Sequence, residues 1–176
     1  MKKTLAGVVA LAFVAMVFVA LLGHRASAGA PASDTVREAD RVAIEKLMWD
    51  YTRALDSLSA DAYAATYTPD GQFGTGEKAV KGHDALVKMI ADLRKGAADA
   101  EAKGQKRPPM YHMEMNTYIE FVDRDHARVE GYWQTVFGGE GQTMPVRVAA
   151  AGREVNDIVR VNGQWLIQTR DVAPKD

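Results

Sequence analysis

Apolar residues recur at helical spacing near the start of the main domain. Ile44, Leu47, Met48, Tyr51, Leu55 and Leu58 fall on one face when wound at helical period. Trp49, Thr52 and Asp56 form a second line on the adjacent face. Thr35-Val36-Arg37-Glu38 fits a capping box, which sets the start of this helix near Asp34. Ser57 and Ser59 suggest a break, and a short second helix is predicted from Ala60 to Tyr67. Thr68-Pro69-Asp70-Gly71 has the chemistry of a turn, with Gln72-Phe73 and a Gly74-Thr75-Gly76 loop behind it. A third helix is predicted from Gly82 to about Lys103, its stripe carried by Leu86, Met89, Ile90 and Leu93. Its tail, Lys95 to Lys106, is rich in Ala and Lys and holds two glycines, so it is expected to fray before Pro108-Pro109 ends it.

From Met110 onward the period changes to two. Strands are predicted over residues 110 to 122 and 126 to 137, with Asp123-Arg124-Asp125 as the turn between them. Gly138-Gly139-Glu140-Gly141 is read as a loop. Two further strands are predicted at 143 to 151 and 153 to 161, then an Asn162-Gly163 hairpin and a last strand from Gln164 to Val172. Helices first and an antiparallel meander afterwards make an α+β layout.

Ahead of this domain the chain begins with a basic Met1-Lys2-Lys3, an apolar run from Leu5 to Leu22 and the small triplet Ala26-Ser27-Ala28. That pattern predicts a signal peptide, residues 1 to 28, and hence an exported protein, periplasmic or secreted. The run is close to bilayer-spanning length, so an uncleaved membrane anchor is the alternative. Residues 29 to 33 read as a linker, and 34 to 176 as one domain. Losing the leader takes Lys2, Lys3 and Arg25 away and moves the net charge from −1 to −4. A mildly acidic domain does not suggest nucleic acid as a partner. The chain has no cysteine, which excludes thiol catalysis, thiolate metal sites and disulfides.

The candidate chemistry sits on three residues. Asp56 falls in the last turn of the first helix, where the macrodipole is already negative, so its charge calls for a partner. Capping the second helix is one such job, and Ser59 competes for it. His112 is the side chain that can exchange a proton near neutral pH. Opposite a carboxylate it would form a dyad in which Asp56 orients the ring or takes the proton itself. By alternation alone, His112, Glu114 and Asn116 face solvent and Tyr111, Met113 and Met115 face the core. Tyr51 lies on the core stripe, and five residues place it about 140° around the helix from Asp56. Arg170 could hold a carboxylate bidentately or serve as an ion-pair partner. Trp133 and Trp165 are expected in the core. Gly74 to Ala79 lacks the βαβ setting of a dinucleotide loop, and the histidines show no metal spacing. No cofactor and no metal are expected.

Several pieces in order resemble the SnoaL-like branch of the NTF2-like superfamily. They are Tyr51…Ala54-Leu55-Asp56, Tyr67-Thr68-Pro69-Asp70-Gly71-Gln72-Phe73, Lys81-Gly82, His112…Asn116…Ile119-Glu120, and Asp157…Val159-Arg160-Val161-Asn162-Gly163-Gln164-Trp165 into Arg170. The resemblance covers roughly residues 35 to 173. It implies a cone: three N-terminal helices packed on a curved antiparallel sheet, with a pocket between the first helix and the sheet. In the branch of scytalone dehydratase and bile acid 7α-dehydratase, a Tyr and an Asp on the first helix face a strand His. The resemblance therefore implies Tyr51, Asp56 and His112 as catalytic residues, and Tyr67, Arg170 and Asn116 as substrate-binding residues. It also turns His112 inward, against the alternation. Val155 departs from the pattern, since many members carry an aromatic there.

The expectation is a cofactor-independent lyase or isomerase moving a proton on a small apolar cyclic compound, and a homodimer through the outer face of the sheet. A ligand-binding module without chemistry and a periplasmic assembly domain are the alternatives.

Overall fold

The computed structural model describes residues 34–105, 108–139 and 145–175. The predicted leader and linker lie outside the described residues, as do the side chains of Thr35 and Val36 in the predicted capping box and residues 140–144 of the loop after β4. The order is α1 (Asp34–Asp56), α2 (Ala60–Ala64), β1 (Tyr67–Phe73), a 3-10 turn (Gly76–Lys78), β2 (Val80–Lys81), α3 (His83–Glu101), β3 (Met110–Phe121), β4 (His126–Phe137), β5 (Arg147–Val161) and β6 (Gln164–Asp171). The strands form one six-stranded sheet in the order β2-β1-β6-β5-β4-β3. All neighbours are antiparallel except β1 and β6. This is the expected α+β cone.

The core lies between the helices and the concave face of the sheet. Ile44, Leu47, Met48, Tyr51 and Ala54 supply it from α1, and Leu86 and Ile90 from α3. Ile119, Ala127, Val129, Ile158 and Ile167 meet them from the strands. Burying each of these larger side chains stabilises the fold by roughly 1.5–3 kcal/mol before chain entropy is counted. Leu93, placed on the stripe by periodicity, is exposed.

Four elements differ from the sequence reading. The second helix ends at Ala64, and Tyr67, its predicted last residue, opens β1 instead. The tail of α3 does not fray at Lys95 but stays helical to Glu101, with Lys95 Nζ 2.6 Å from Asp99 one turn on. The two strands separated at Gly152 are one continuous strand, β5. Gly152 is there because Trp133, its cross-strand partner, lies on it: a Cβ would stand 3.0 Å from the indole. The Thr68–Gly71 turn is instead a bulge within β1, where the pairing with β6 shifts register between Tyr67 and Gln72. Gly71 closes that bulge, for a Cβ would come 2.8 Å from Tyr67 Cβ and 2.9 Å from the Ile167 carbonyl.

Register shifts also put an extra residue into β3 between Met115 and Tyr118, into β5 at Ala149 opposite Thr135/Val136, and into β6 at Gln168 opposite Asp157/Ile158. Bulges bend the strands that carry them, and here they curl the sheet around α1. At the other end, α1 stops when Leu58 turns to positive φ (52°) and Ser59 N–H donates to the Ala54 carbonyl at 2.9 Å. That stop leaves Asp56 as the last helical residue, beside the start of β3.

Candidate active site

Asp56 Oδ1 accepts two hydrogen bonds from one residue: the His112 backbone N–H at 2.9 Å and the His112 Nδ1–H at 2.8 Å. The two side chains are 10% and 19% exposed, so neither faces bulk water freely. These donors answer the electrostatic problem of a carboxylate at a helix C-terminus. Asp56 does not cap α2; Ser59 occupies the cap position, without a side-chain cap bond. With Nδ1 donating to the carboxylate, the neutral ring carries its lone pair on Nε2, the nitrogen left free for proton transfer. The solvent-facing orientation that alternation assigned to His112 is overturned. Tyr111 and Met113, which alternation assigned to the core, are exposed instead, because the concave side of the sheet is partly polar here.

His112 lines a cavity of about 170 Å³ under α1. Tyr51, Glu114, Thr135 and Arg170 supply its polar wall, and Leu55, Phe73, Trp133 and Val172 its apolar one. His112 and Glu114 also line a wider hollow of about 510 Å³ between α1 and β3, with Trp49 and Thr52. Trp133 was expected in the core. It lines the cavity instead, its Nε1–H donating to the carbonyls of Val172 (2.9 Å) and Arg153 (3.1 Å). Trp165 is in the core as expected. A larger hollow, about 760 Å³, lies elsewhere, over Lys46, Asp50, Arg53 and Trp165, and none of the predicted site residues lines it.

Behind the cavity wall sits a buried charge cluster. Arg170 Nη2 lies 2.5 Å from Glu114 Oε1 and 2.6 Å from Glu154 Oε2, and Nη1 donates to Asn156 Oδ1 at 3.1 Å. The Arg170 guanidinium stacks 4.1 Å over the Tyr51 ring. Burial pushes the Glu114 carboxyl up to about 7; the neighbouring Glu154 charge adds to the rise and Arg170 opposes it. Burial works against the Arg170 charge, but Tyr51, Glu114 and Glu154 hold its pKa above the usual value.

Tyr51 is buried, with its ring packed on Tyr63 and Tyr67 at centroid distances of 5.2 and 6.3 Å. Burial raises the Tyr51 hydroxyl's pKa, so it stays protonated and acts as a donor. Tyr67 is one layer deeper, sharing a 3.1 Å hydroxyl contact with Tyr63 and lining neither cavity. Asn116 also misses both cavities: it is exposed at the β3 bulge, with φ 53°. Of the six predicted residues, the structure therefore gathers Asp56, His112, Tyr51 and Arg170, and leaves Tyr67 and Asn116 apart. Glu114, Glu154 and Asn156 went unpredicted. Glu114 was visible as the residue in phase with His112, and Glu154 and Asn156 share the phase of buried Ile158. Among the described residues no cluster of His, Asp and Glu could hold a metal ion.

The fold and this arrangement define a member of the NTF2-like superfamily. The SnoaL-like domain family matches residues 36–171, and the chain belongs to it. Among solved structures it is similar to Rv3472 from Mycobacterium tuberculosis, a protein of unknown function (19% identity, TM-score 0.64, covering 84% of this chain and 78% of the other). It is also similar to a putative scytalone dehydratase from Novosphingobium aromaticivorans (24%, TM-score 0.58, 77% and 83%). A third relative in structure is LinA (20%, TM-score 0.63, 80% and 88%). At these identities the likeness shows the fold alone. No curated protein matches the chain in sequence.

Proposed function

We propose that this protein is a lyase or isomerase that needs no cofactor and acts on a small, mostly apolar, six-membered-ring substrate. The observation that carries this reading is the Asp56–His112 pair, held at 2.8 Å beside a cavity. A dry cavity of about 150 Å³ accepts one benzene-sized ring, so about 170 Å³ suits a single ring. His112 Nε2 takes a proton from the carbon next to a carbonyl, and Asp56 holds the ring and offsets the imidazolium charge. The Tyr51 hydroxyl donates to the oxygen on which negative charge develops. A β-hydroxyl then leaves as water with a proton from solvent, and a conjugated enone remains. The likeness to a putative scytalone dehydratase supports this reaction class.

The test uses 3-hydroxycyclohexanone, with loss of water followed by enone absorbance, and α-proton exchange of cyclohexanone in deuterium oxide. Asp56→Asn and His112→Ala are each expected to slow both by about 100-fold or more. Equal rates in wild type and both variants would remove the reading. A binding module predicts saturation without turnover in the same experiment. The reading includes export, supported by the leader-like residues 1 to 28, and an intact mass beginning at Gly29 is the expected outcome. It also includes self-association through the outer sheet face, where Tyr111, Met113, Tyr132 and Val148 are exposed; sedimentation tests it.

A further inference from the structure

Arg170 puts a guanidinium into the wall of the cavity, and a guanidinium in a pocket ordinarily selects anions. Here its charge is already answered from within the fold. Glu114 reaches it from β3 and Glu154 from β5, both on Nη2, and Asn156 occupies Nη1. The side chains of Arg170, Glu114 and Glu154 are 3%, 11% and 0% exposed, so water does little to screen them. Two carboxyls against one guanidinium sum to zero when Glu114 is protonated and to −1 when it is ionised. With Glu154 ionised, the cluster presents no net positive charge in either state of Glu114. A carboxylate entering the cavity would be a third acid on one cation, or would have to displace Glu114. The remaining polar wall, the hydroxyls of Tyr51 and Thr135 and the His112 ring whose Nδ1 is held by Asp56, suits an uncharged oxygen.

We propose that Glu114, with Glu154, makes the pocket selective for uncharged ligands by neutralising Arg170 inside its wall. This deepens the reading of the cavity as the substrate site and rests on it. The measurement is calorimetric titration of the purified protein, at a pH where Glu114 is ionised, with cyclohexanecarboxamide and cyclohexanecarboxylate. The two probes share one shape and differ in charge. Wild type is expected to bind the carboxamide about tenfold or more tighter than the carboxylate. Glu114→Gln is expected to improve carboxylate binding about tenfold while leaving carboxamide binding within about threefold. Glu154→Gln repeats the test on the second acid, and the wild-type ratio stands if either variant fails to fold. Equal or tighter carboxylate binding by wild type overturns the proposal and leaves the enzymatic reading intact. An unchanged ratio in a folded Glu114→Gln also overturns it. Saturation by neither probe removes the cavity as a ligand site, and the selectivity with it.

Discussion

Glu114 ties the stability of the fold to pH in a way that a single substitution should expose. Its carboxyl rises from an ordinary 4.5 to about 7, chiefly through burial. The folded state therefore binds this proton more tightly than the unfolded chain does. The stabilisation is present in full below pH 4.5 and is lost as pH rises through 7. A shift of that size corresponds to about 3 kcal/mol at most, or about 10 °C in Tm for a domain of this length. Asp70 runs the other way, held down by the Thr68 hydroxyl, but its window lies below 3.8 and does not overlap. Burial raises the Tyr51, Tyr63 and Tyr67 hydroxyls, which titrate above 10 and stay out of the window too. Urea unfolding between about pH 5 and pH 8 is the assay. Wild type should lose stability as pH rises, and Glu114→Gln, which mimics the protonated acid, should lose up to about 2.5 kcal/mol less over the same span. Parallel stability curves for the two proteins would refute the reasoning.

Other substitutions test the packing around the site. Tyr63→Phe leaves the buried Tyr67 hydroxyl without its 3.1 Å partner and should cost about 1–2 kcal/mol, while the double change to Phe should cost less than the two single changes added, as a double-mutant cycle would show. Gly71→Ala drives a methyl against Tyr67 and the Ile167 carbonyl and should cost about 1–3 kcal/mol in thermal or urea melts. Asp56→Asn weakens two hydrogen bonds to His112 and should cost about 1–3 kcal/mol, a loss measured separately from its effect on turnover.

The fold was legible because the change of period at Met110 is abrupt and the stripe on α1 is long. Its misreadings came at glycines. Gly152 looked like a strand end because a sequence does not show the Trp133 ring that lies over it. Gly71 looked like a turn because Thr-Pro-Asp-Gly has the chemistry of one, and a sequence does not show the Tyr67 Cβ and Ile167 carbonyl that leave no room for a side chain there. The Asp56–His112 pair spans 56 positions, and no local pattern links the two residues. Alternation pointed His112 the wrong way, since it assumes an apolar inner face, and this sheet closes over polar groups. The family resemblance turned the ring inward. The acids around Arg170 were missed because each looks like an ordinary solvent-facing residue until three strands bring them to one guanidinium.

The state of the His112 ring bears most directly on the account. Nitrogen-15 chemical shifts of the imidazole, recorded at a pH where the ring is neutral, report which nitrogen carries the proton. A proton on Nδ1 and a bare Nε2 is the predicted result, shifting toward Nε2–H in Asp56→Ala. A wild-type ring protonated on Nε2, unaffected by removal of the acid, would contradict it.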